Sequence, residues 1–175
     1  MAEGASGRNR NLEIFLAPMG EGHLDQVCGI EKISFSTPWS RLSFVSELQN
    51  DLAWYLVALE NETVAGYAGM WLILDEAHVT NLAVHPRYRG RGIGSALMGG
   101  LIWLAVCLGA VRMTLEVRVS NVAAIKLYEK LGFRREGRRR GYYTNPKEDA
   151  LIMGMDLRWP LLPRFGPPPG GAGAT

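Results

Sequence analysis

Asn81-Leu82-Ala83-Val84-His85-Pro86-Arg87-Tyr88-Arg89-Gly90-Arg91-Gly92-Ile93-Gly94-Ser95-Ala96-Leu97 is the stretch on which the fold of this chain turns. An apolar strand ends at Val84, Pro86 forces a turn, and Arg89, Gly90, Arg91, Gly92 and Gly94 lead directly into a helical pattern. Glycines at such a junction bring backbone N–H groups close to an anion, and the helix N-terminus behind them carries partial positive charge. The stretch reads as a phosphate cradle, so a phosphorylated ligand is expected.

Two familiar phosphate loops do not fit these letters. The dinucleotide fingerprint needs Gly-x-Gly-x-x-Gly, and Gly90-x-Gly92-x-Gly94 lacks the last spacing. The P-loop needs Gly-Lys-Ser/Thr, and no lysine stands here. What remains is Arg89-x-x-Gly92-x-Gly94 behind Leu82-Ala83-Val84-x-Pro86. This closely resembles the acyl-coenzyme A loop of the GCN5-related N-acetyltransferases, the GNAT superfamily. The resemblance implies that Leu82, Ala83 and Val84 offer strand backbone to the pantetheine arm of acetyl-coenzyme A. It also implies that Gly90, Arg91, Gly92, Ile93, Gly94 and Ser95 wrap the pyrophosphate, with Arg87, Arg89 and Arg91 adding charge. An amide-bearing arm laid on an open strand satisfies polar groups on both sides.

At 175 residues the chain suits one domain with a full core. Its hydrophobic fraction of 47% and charged fraction of 21% are those of an ordinary globular protein. A net charge of +2 is too small to argue for nucleic acid as the main ligand, and no DNA partner is expected. Cys28 and Cys107 have no metal or redox spacing and sit in apolar helical contexts, so both are expected to be buried free thiols, which suits a reducing cytoplasm. Residues 1–10 lack an apolar core and are expected to be a disordered leader rather than a signal peptide. Leu97 to Leu108 is broken by Gly99 and Gly100 and is too short to span a bilayer, so no membrane role is implied. Residues 159–175 form a Pro/Gly tail that cannot build a core and is expected to be disordered, leaving residues 11–158 as the domain.

Within that domain, Leu12 to Leu16 alternates weakly as a first strand ended by Pro18. Leu24, Val27, Cys28, Ile30 and Ile33 mark a helix over Glu21 to Phe35, and Ser40 is placed to cap a second helix with Phe44, Val45 and Leu48 on its apolar face. Trp54 to Leu59 and Thr63 to Leu74 read as a hairpin, and His78 to Val84 as the strand that delivers the cradle. Beyond the cradle helix, Val111 to Val119 is a strand with Leu115 and Val117 on one face and Glu116 and Arg118 on the other. Asn121 caps a helix through Leu131, Gly132 closes it, and Arg134 to Tyr143 and Asp149 to Leu157 are the last strands. The order gives a mixed α/β sheet with helices on its faces. It is also the order of the GNAT fold, which implies a mixed, mostly antiparallel sheet of about seven strands with four helices.

Acetyl transfer to an amine needs a neutral nucleophile and a proton for the departing thiolate. An N-terminal amine, with pKa about 7.7 to 8.0, is roughly 10 to 20% neutral at pH 7, and a lysine amine only roughly 0.04%. Glu116 is the candidate base, an acid in an apolar strand; its plainer role is a solvent-facing residue paired with Arg118. Tyr128 is the candidate acid, because a phenol of pKa about 10 is protonated at neutral pH and can donate to a thiolate of pKa about 8.5; its plainer role is an aromatic on the helix face with Leu127 and Leu131. The run from Leu115 to Phe133 is similar to the signature of the bacterial RimI family, the ribosomal-protein-alanine N-acetyltransferases. That resemblance implies proton acceptor and donor roles for Glu116 and Tyr128, and a coenzyme A contact for Asn121 besides its cap.

Tyr142 and Tyr143, after the Arg138-Arg139-Arg140 run, resemble the paired tyrosines that bind substrate backbone in N-terminal acetyltransferases. The arginines read either as a solvated strand end or as a surface for ribosomal RNA. Trp39 stands either in the core or as one wall of a substrate cleft. His23, His78 and His85 lack ligand spacing, so no metal and no catalytic role is expected of them. The resulting expectation is a cytoplasmic acetyl-coenzyme A-dependent transferase acting on a protein N-terminus, by resemblance the alanine of a small-subunit ribosomal protein. Two other classes stay open, a transferase of small amines or lysine side chains and a non-catalytic acyl-coenzyme A sensor.

Overall fold

A computed structural model describes residues 13–158; the leader and the Pro/Gly tail lie outside the described residues. Strand β1 (Ile14–Pro18) is followed by a 3-10 turn and helix α1 (Leu24–Ser34), then α2 (Arg41–Leu48), β2 (Ala53–Glu60), β3 (Thr63–Ile73) and β4 (Glu76–Val84). Helix α3 (Ile93–Cys107), β5 (Arg112–Arg118), α4 (Val122–Leu131), β6 (Arg134–Thr144) and β7 (Lys147–Asp156) complete the order. The seven strands form one sheet in the order β1-β2-β3-β4-β5-β7-β6. Every neighbouring pair is antiparallel except β4 with β5.

Local chemistry accounts for the element ends. The Ser40 side chain accepts the Ser43 N–H at 3.1 Å and starts α2, and Asn121 Oδ1 accepts the Ala124 N–H at 3.2 Å and starts α4. Gly132 closes α4 in the left-handed region at φ 106°. Pro18 ends β1, as expected, and is its last residue, paired with Leu56. An edge strand tolerates proline because the missing N–H can face away from the ladder. Gly20 donates its N–H to His23 Nδ1 at 3.0 Å, and Glu21–His23 is a 3-10 turn rather than the first turn of α1.

The apolar residues divide into two layers. Leu97, Met98, Leu101 and Ile102 of α3 and Ile125 and Tyr128 of α4 pack with Met70, Leu115 and Met153 of the sheet. Leu24, Val27 and Ile30 of α1 and Phe44 of α2 pack with Val57 and Tyr67 on the other face. One expectation fails here: Cys107 is exposed and Cys28 only partly buried. Cys107 is the last residue of α3, a helix so uniformly apolar that spacing does not mark its outer side.

Candidate active site

The sheet opens in its middle. β4 and β5 share only the rungs Glu76 with Arg112, Ala77 with Met113 and His78 with Thr114. Beyond them β4 stays paired with β3 as far as Val84 and β5 with β7 as far as Arg118. The two strands thus run on with a gap between them, and the gap opens into a cavity of about 470 Å³. Val79 to Leu82, Leu115 to Arg118, Asn121, Ala124, Tyr128, Trp39, Tyr142 and Tyr143 all line it.

A bulge decides what β4 presents to this gap. Met70 pairs with Val79 and Gly69 with Asn81, which leaves Thr80 as an extra residue. Before it, Ala77 and Val79 face the α3/α4 layer; after it, Leu82 and Val84 do, while Ala83 turns to the α1/α2 layer. The Tyr55 ring braces the bulge, with its hydroxyl 3.0 Å from Thr80 Oγ1 and donating to Asn81 Oδ1 at 3.3 Å. Gly69 makes room for that ring, since a Cβ there would lie 2.0 Å from Tyr55 Cε1.

The cradle follows β4. Gly90 and Gly92 take left-handed φ values of 76° and 77°, and a Cβ on either would meet nothing within 4 Å. Among the described residues, the backbone N–H groups from Gly90 to Ser95 make no hydrogen bonds within the chain, so donors and the N-terminus of α3 converge on open space suited to a pyrophosphate. Gly94 keeps α4 close, because its Cβ would stand 3.2 Å from Leu127 Cδ1. The arginines are partly committed: Arg89 Nε donates to the Val84 carbonyl at 3.1 Å, and Arg91 pairs with Glu60 at 2.6 Å. Ile93 is buried. Val84 and the Gly90-to-Ser95 turn thus flank the cavity at the far end of β4 rather than line it.

Glu116 and Tyr128 reach the gap from opposite layers. Leu115 and Val117 sit in the α3/α4 core, so Glu116 projects to the α1/α2 side. Its side chain is 9% exposed and meets His78 Nε2 at 2.9 Å and Arg139 Nη2 at 3.4 Å. The expected Glu116–Arg118 pair does not form. Residues two apart on a strand lie parallel rather than in contact, and Arg118 reaches Glu148 instead, at 3.1 Å. Tyr128 lies in the α3/α4 layer with its ring centroid 5.8 Å from Phe133. Burial pushes its phenol above the ordinary range, and the neighbouring Tyr143 adds to this. The Tyr128 hydroxyl makes no hydrogen bond among the described residues.

The opposite mouth of the cavity joins two loops. The Trp39 N–H donates to Glu31 Oε1 at 2.9 Å, the Tyr67 hydroxyl donates to the other oxygen of Glu31, and the Trp39 ring packs on Phe44 at 5.5 Å. Trp39 therefore serves both as core filler and as cavity wall. Burial raises the pKa of the Glu31 carboxyl against the pull of those two hydrogen bonds. The Ser36 hydroxyl donates to the Asn145 carbonyl, tying the α1–α2 connection to the β6–β7 hairpin.

On that hairpin Tyr142 and Tyr143 meet edge to face at 5.1 Å, and Arg118 Cζ lies 4.1 Å from the Tyr143 ring centroid. Burial, then Tyr142, pushes the Tyr143 phenol up to about 12, against the pull of Arg118. Of the arginine run, Arg138 pairs with Asp149 at 2.7 Å and Arg139 approaches Glu116, on an exposed strand. No group of three or more His, Cys, Asp and Glu among the described residues is placed to hold a metal.

His78 is the site residue that spacing alone did not reveal. It becomes a neighbour of Glu116 only through the parallel register of β4 with β5, which no local signal in the sequence sets.

The model of the acetyltransferase (GNAT) family matches residues 24–133. A Bacillus subtilis (strain 168) protein, named provisionally a ribosomal protein bS18-alanine N-acetyltransferase, is 44% identical over 135 residues, spanning 77% of this chain and 89% of that protein. The Escherichia coli (strain K12) ribosomal protein bS18-alanine N-acetyltransferase is 40% identical over 130 residues, 73% of this chain and 87% of its own. The crystal structure of the ribosomal-protein-S18-alanine N-acetyltransferase from Escherichia coli superposes with a TM-score of 0.77 at 36% identity, covering 83% of this chain and 94% of that one.

Proposed function

The chain belongs to the GNAT acetyltransferase family and is an acetyl-coenzyme A-dependent N-acetyltransferase, and we propose that its acceptor is a protein N-terminal amine in the cytoplasm, specifically the N-terminal alanine of a small-subunit ribosomal protein. The names of its relatives support that acceptor. The observation that carries the chemistry is that Glu116 and Tyr128, from opposite layers, line one cavity at the gap between β4 and β5.

Bound acetyl-coenzyme A supplies the thioester. Gly90 to Ser95 would hold its pyrophosphate, Leu82, Ala83 and Val84 its amide-bearing arm, and Asn121 would contact it while capping α4. Trp39, Tyr142 and Tyr143 would flank the acceptor peptide. Glu116 takes the proton released as the amine nitrogen bonds to the acetyl carbon, directly or through water. Tyr128 gives its proton to the sulfur as the carbon–sulfur bond breaks, and solvent restores it. The burial that raises the Tyr128 pKa keeps it protonated across the working pH range. The acetyl group passes directly from thioester to amine with no covalent enzyme intermediate.

The test is thiol release from acetyl-coenzyme A against N-terminal peptides, lysine peptides and polyamines, with Glu116→Gln beside the wild type. An alanine-initiated peptide should turn over fastest, and the substitution should lower turnover by about a hundredfold or more. Preference for a lysine amine or a polyamine would overturn the acceptor. Coenzyme binding with no thiol release from any acceptor would make the protein a sensor.

A further inference from the structure

We propose that His78 is a positioning residue for the proton acceptor: its imidazole holds one oxygen of Glu116 so that the other is free to face the acceptor amine. This rests on Glu116 being the base. His78 stands on the last paired rung between β4 and β5, opposite Thr114, where the gap begins. Its Nε2 lies 2.9 Å from Glu116 Oε2 and its Nδ1 3.0 Å from Thr114 Oγ1. A carboxylate only accepts, so Nε2–H is the donor; in the neutral ring Nδ1 then accepts from the Thr114 hydroxyl. The ring is thus fixed from both nitrogens, by two residues that lie two apart on β5 and share a face.

The competing partner of Glu116 is looser. Arg139 approaches Oε1 at 3.4 Å from a side chain that is 57% exposed, whereas the His78 side chain is 34% exposed. An exposed guanidinium on a long stem exchanges readily with solvent, and an imidazole bound at both nitrogens does not. With His78 in place, Oε2 is occupied and Oε1 is the oxygen that can receive a proton. Without it, the carboxylate is free to turn both oxygens toward Arg139, and the base is misaimed.

The experiment compares His78→Leu, His78→Gln, Glu116→Gln and the double variant His78→Leu/Glu116→Gln, with kcat and KM from thiol release on an alanine-initiated peptide. Melting temperature and acetyl-coenzyme A affinity are followed alongside. His78→Leu should lower kcat by about ten- to hundredfold, the factor that a hydrogen bond to a charged group corresponds to, with both KM values within about threefold. His78→Gln keeps an N–H donor at the Nε2 position and should recover most of the loss, which a role in packing or titration would not predict. In the Glu116→Gln background, His78→Leu should have no further effect.

Wild-type turnover in His78→Leu, equal losses in His78→Leu and His78→Gln, or the same loss from His78→Leu with and without Glu116 would each overturn the proposal. If His78→Leu does not fold, His78→Ala takes its place as the variant without a donor: a loss of kcat there that His78→Gln largely recovers supports the positioning role, and equal turnover in the two variants overturns it. Glu116→Gln separates the two assignments. Wild-type turnover in that variant removes the base and this proposal together, whereas a large loss there with none in His78→Leu removes this proposal alone.

Discussion

Replacing Tyr128 with phenylalanine removes one oxygen and leaves the packing in place. The ring is 7% exposed and sits against Phe133, while its hydroxyl makes no hydrogen bond among the described residues. Folding stability should therefore change by no more than about 1 kcal/mol, with no partner left unsatisfied. Turnover should respond very differently. A positioned general acid contributes roughly a hundred- to ten-thousandfold, or about 2.7 to 5.4 kcal/mol at 1.36 kcal/mol per factor of ten. The low end applies here, because a thiolate of pKa about 8.5 leaves without full protonation and burial makes this phenol a weaker acid than usual. The expected loss in kcat is thus about a hundredfold, with the Kd for acetyl-coenzyme A within about twofold of wild type by calorimetry. The product should be followed by mass of the acetylated peptide, since exposed Cys107 adds background to thiol-reactive dyes. A kcat within threefold of wild type, or a loss confined to KM, would refute the assignment of Tyr128 as proton donor.

Arg118 gathers the hairpin: its guanidinium donates to the Asn145 carbonyl at 3.0 Å, to the Pro146 carbonyl at 3.1 Å and to Glu148 at 3.1 Å, beneath the Tyr143 ring. Arg118→Ala should raise the peptide KM about tenfold and change kcat by less than threefold. Arg118→Lys should recover little of this, because one ammonium cannot reproduce the planar fork; an unchanged KM in the alanine variant would count against the hairpin as acceptor wall. Alkaline stability gives a separate measurement. Burial raises the phenol pKa values of Tyr55, Tyr67 and Tyr128, so the folded chain keeps protons that the unfolded chain releases near pH 10. Their contribution to stability is whole below pH of about 10 and is lost as pH rises above it. Tyrosinate absorbance from these three should appear only together with loss of the far-ultraviolet helical signal, and a complete tyrosine titration in a folded protein would contradict the burial described here.

What the sequence made legible is what short-range chemistry controls. Asn121 and Gly132 bracket α4 because a cap and a left-handed glycine act within one turn. Gly90 and Gly92 mark the cradle because only glycine takes that backbone without strain. The face of Glu116 followed from simple alternation along β5. Its partners did not, because they come from register: His78 arrives through a parallel rung and Arg139 from the edge strand. The apolar run of α3 hid the outward position of Cys107 for the converse reason, since a helix without a polar face gives its periodicity nothing to report.

The bulge at Thr80 explains why one strand can serve two kinds of chemistry. In an unbroken β4, residues 78, 80, 82 and 84 would share a face, and the His78 side chain would stand on the same side as Leu82 and Val84. The extra residue moves Leu82 and Val84 into the α3/α4 layer and leaves His78 on the side where it meets Glu116. The first half of β4 thus supplies a side chain to Glu116, and the second half supplies backbone beside the cradle. Tyr55 and Gly69 hold this switch of face, because the ring that bridges Thr80 and Asn81 fits only where position 69 has no Cβ. A glycine that weakens a central strand by its own propensity is therefore required by the site. β4 and β5 part immediately after the rung that joins His78 to Thr114, so His78, which meets Glu116, belongs to the last rung that still joins the two strands.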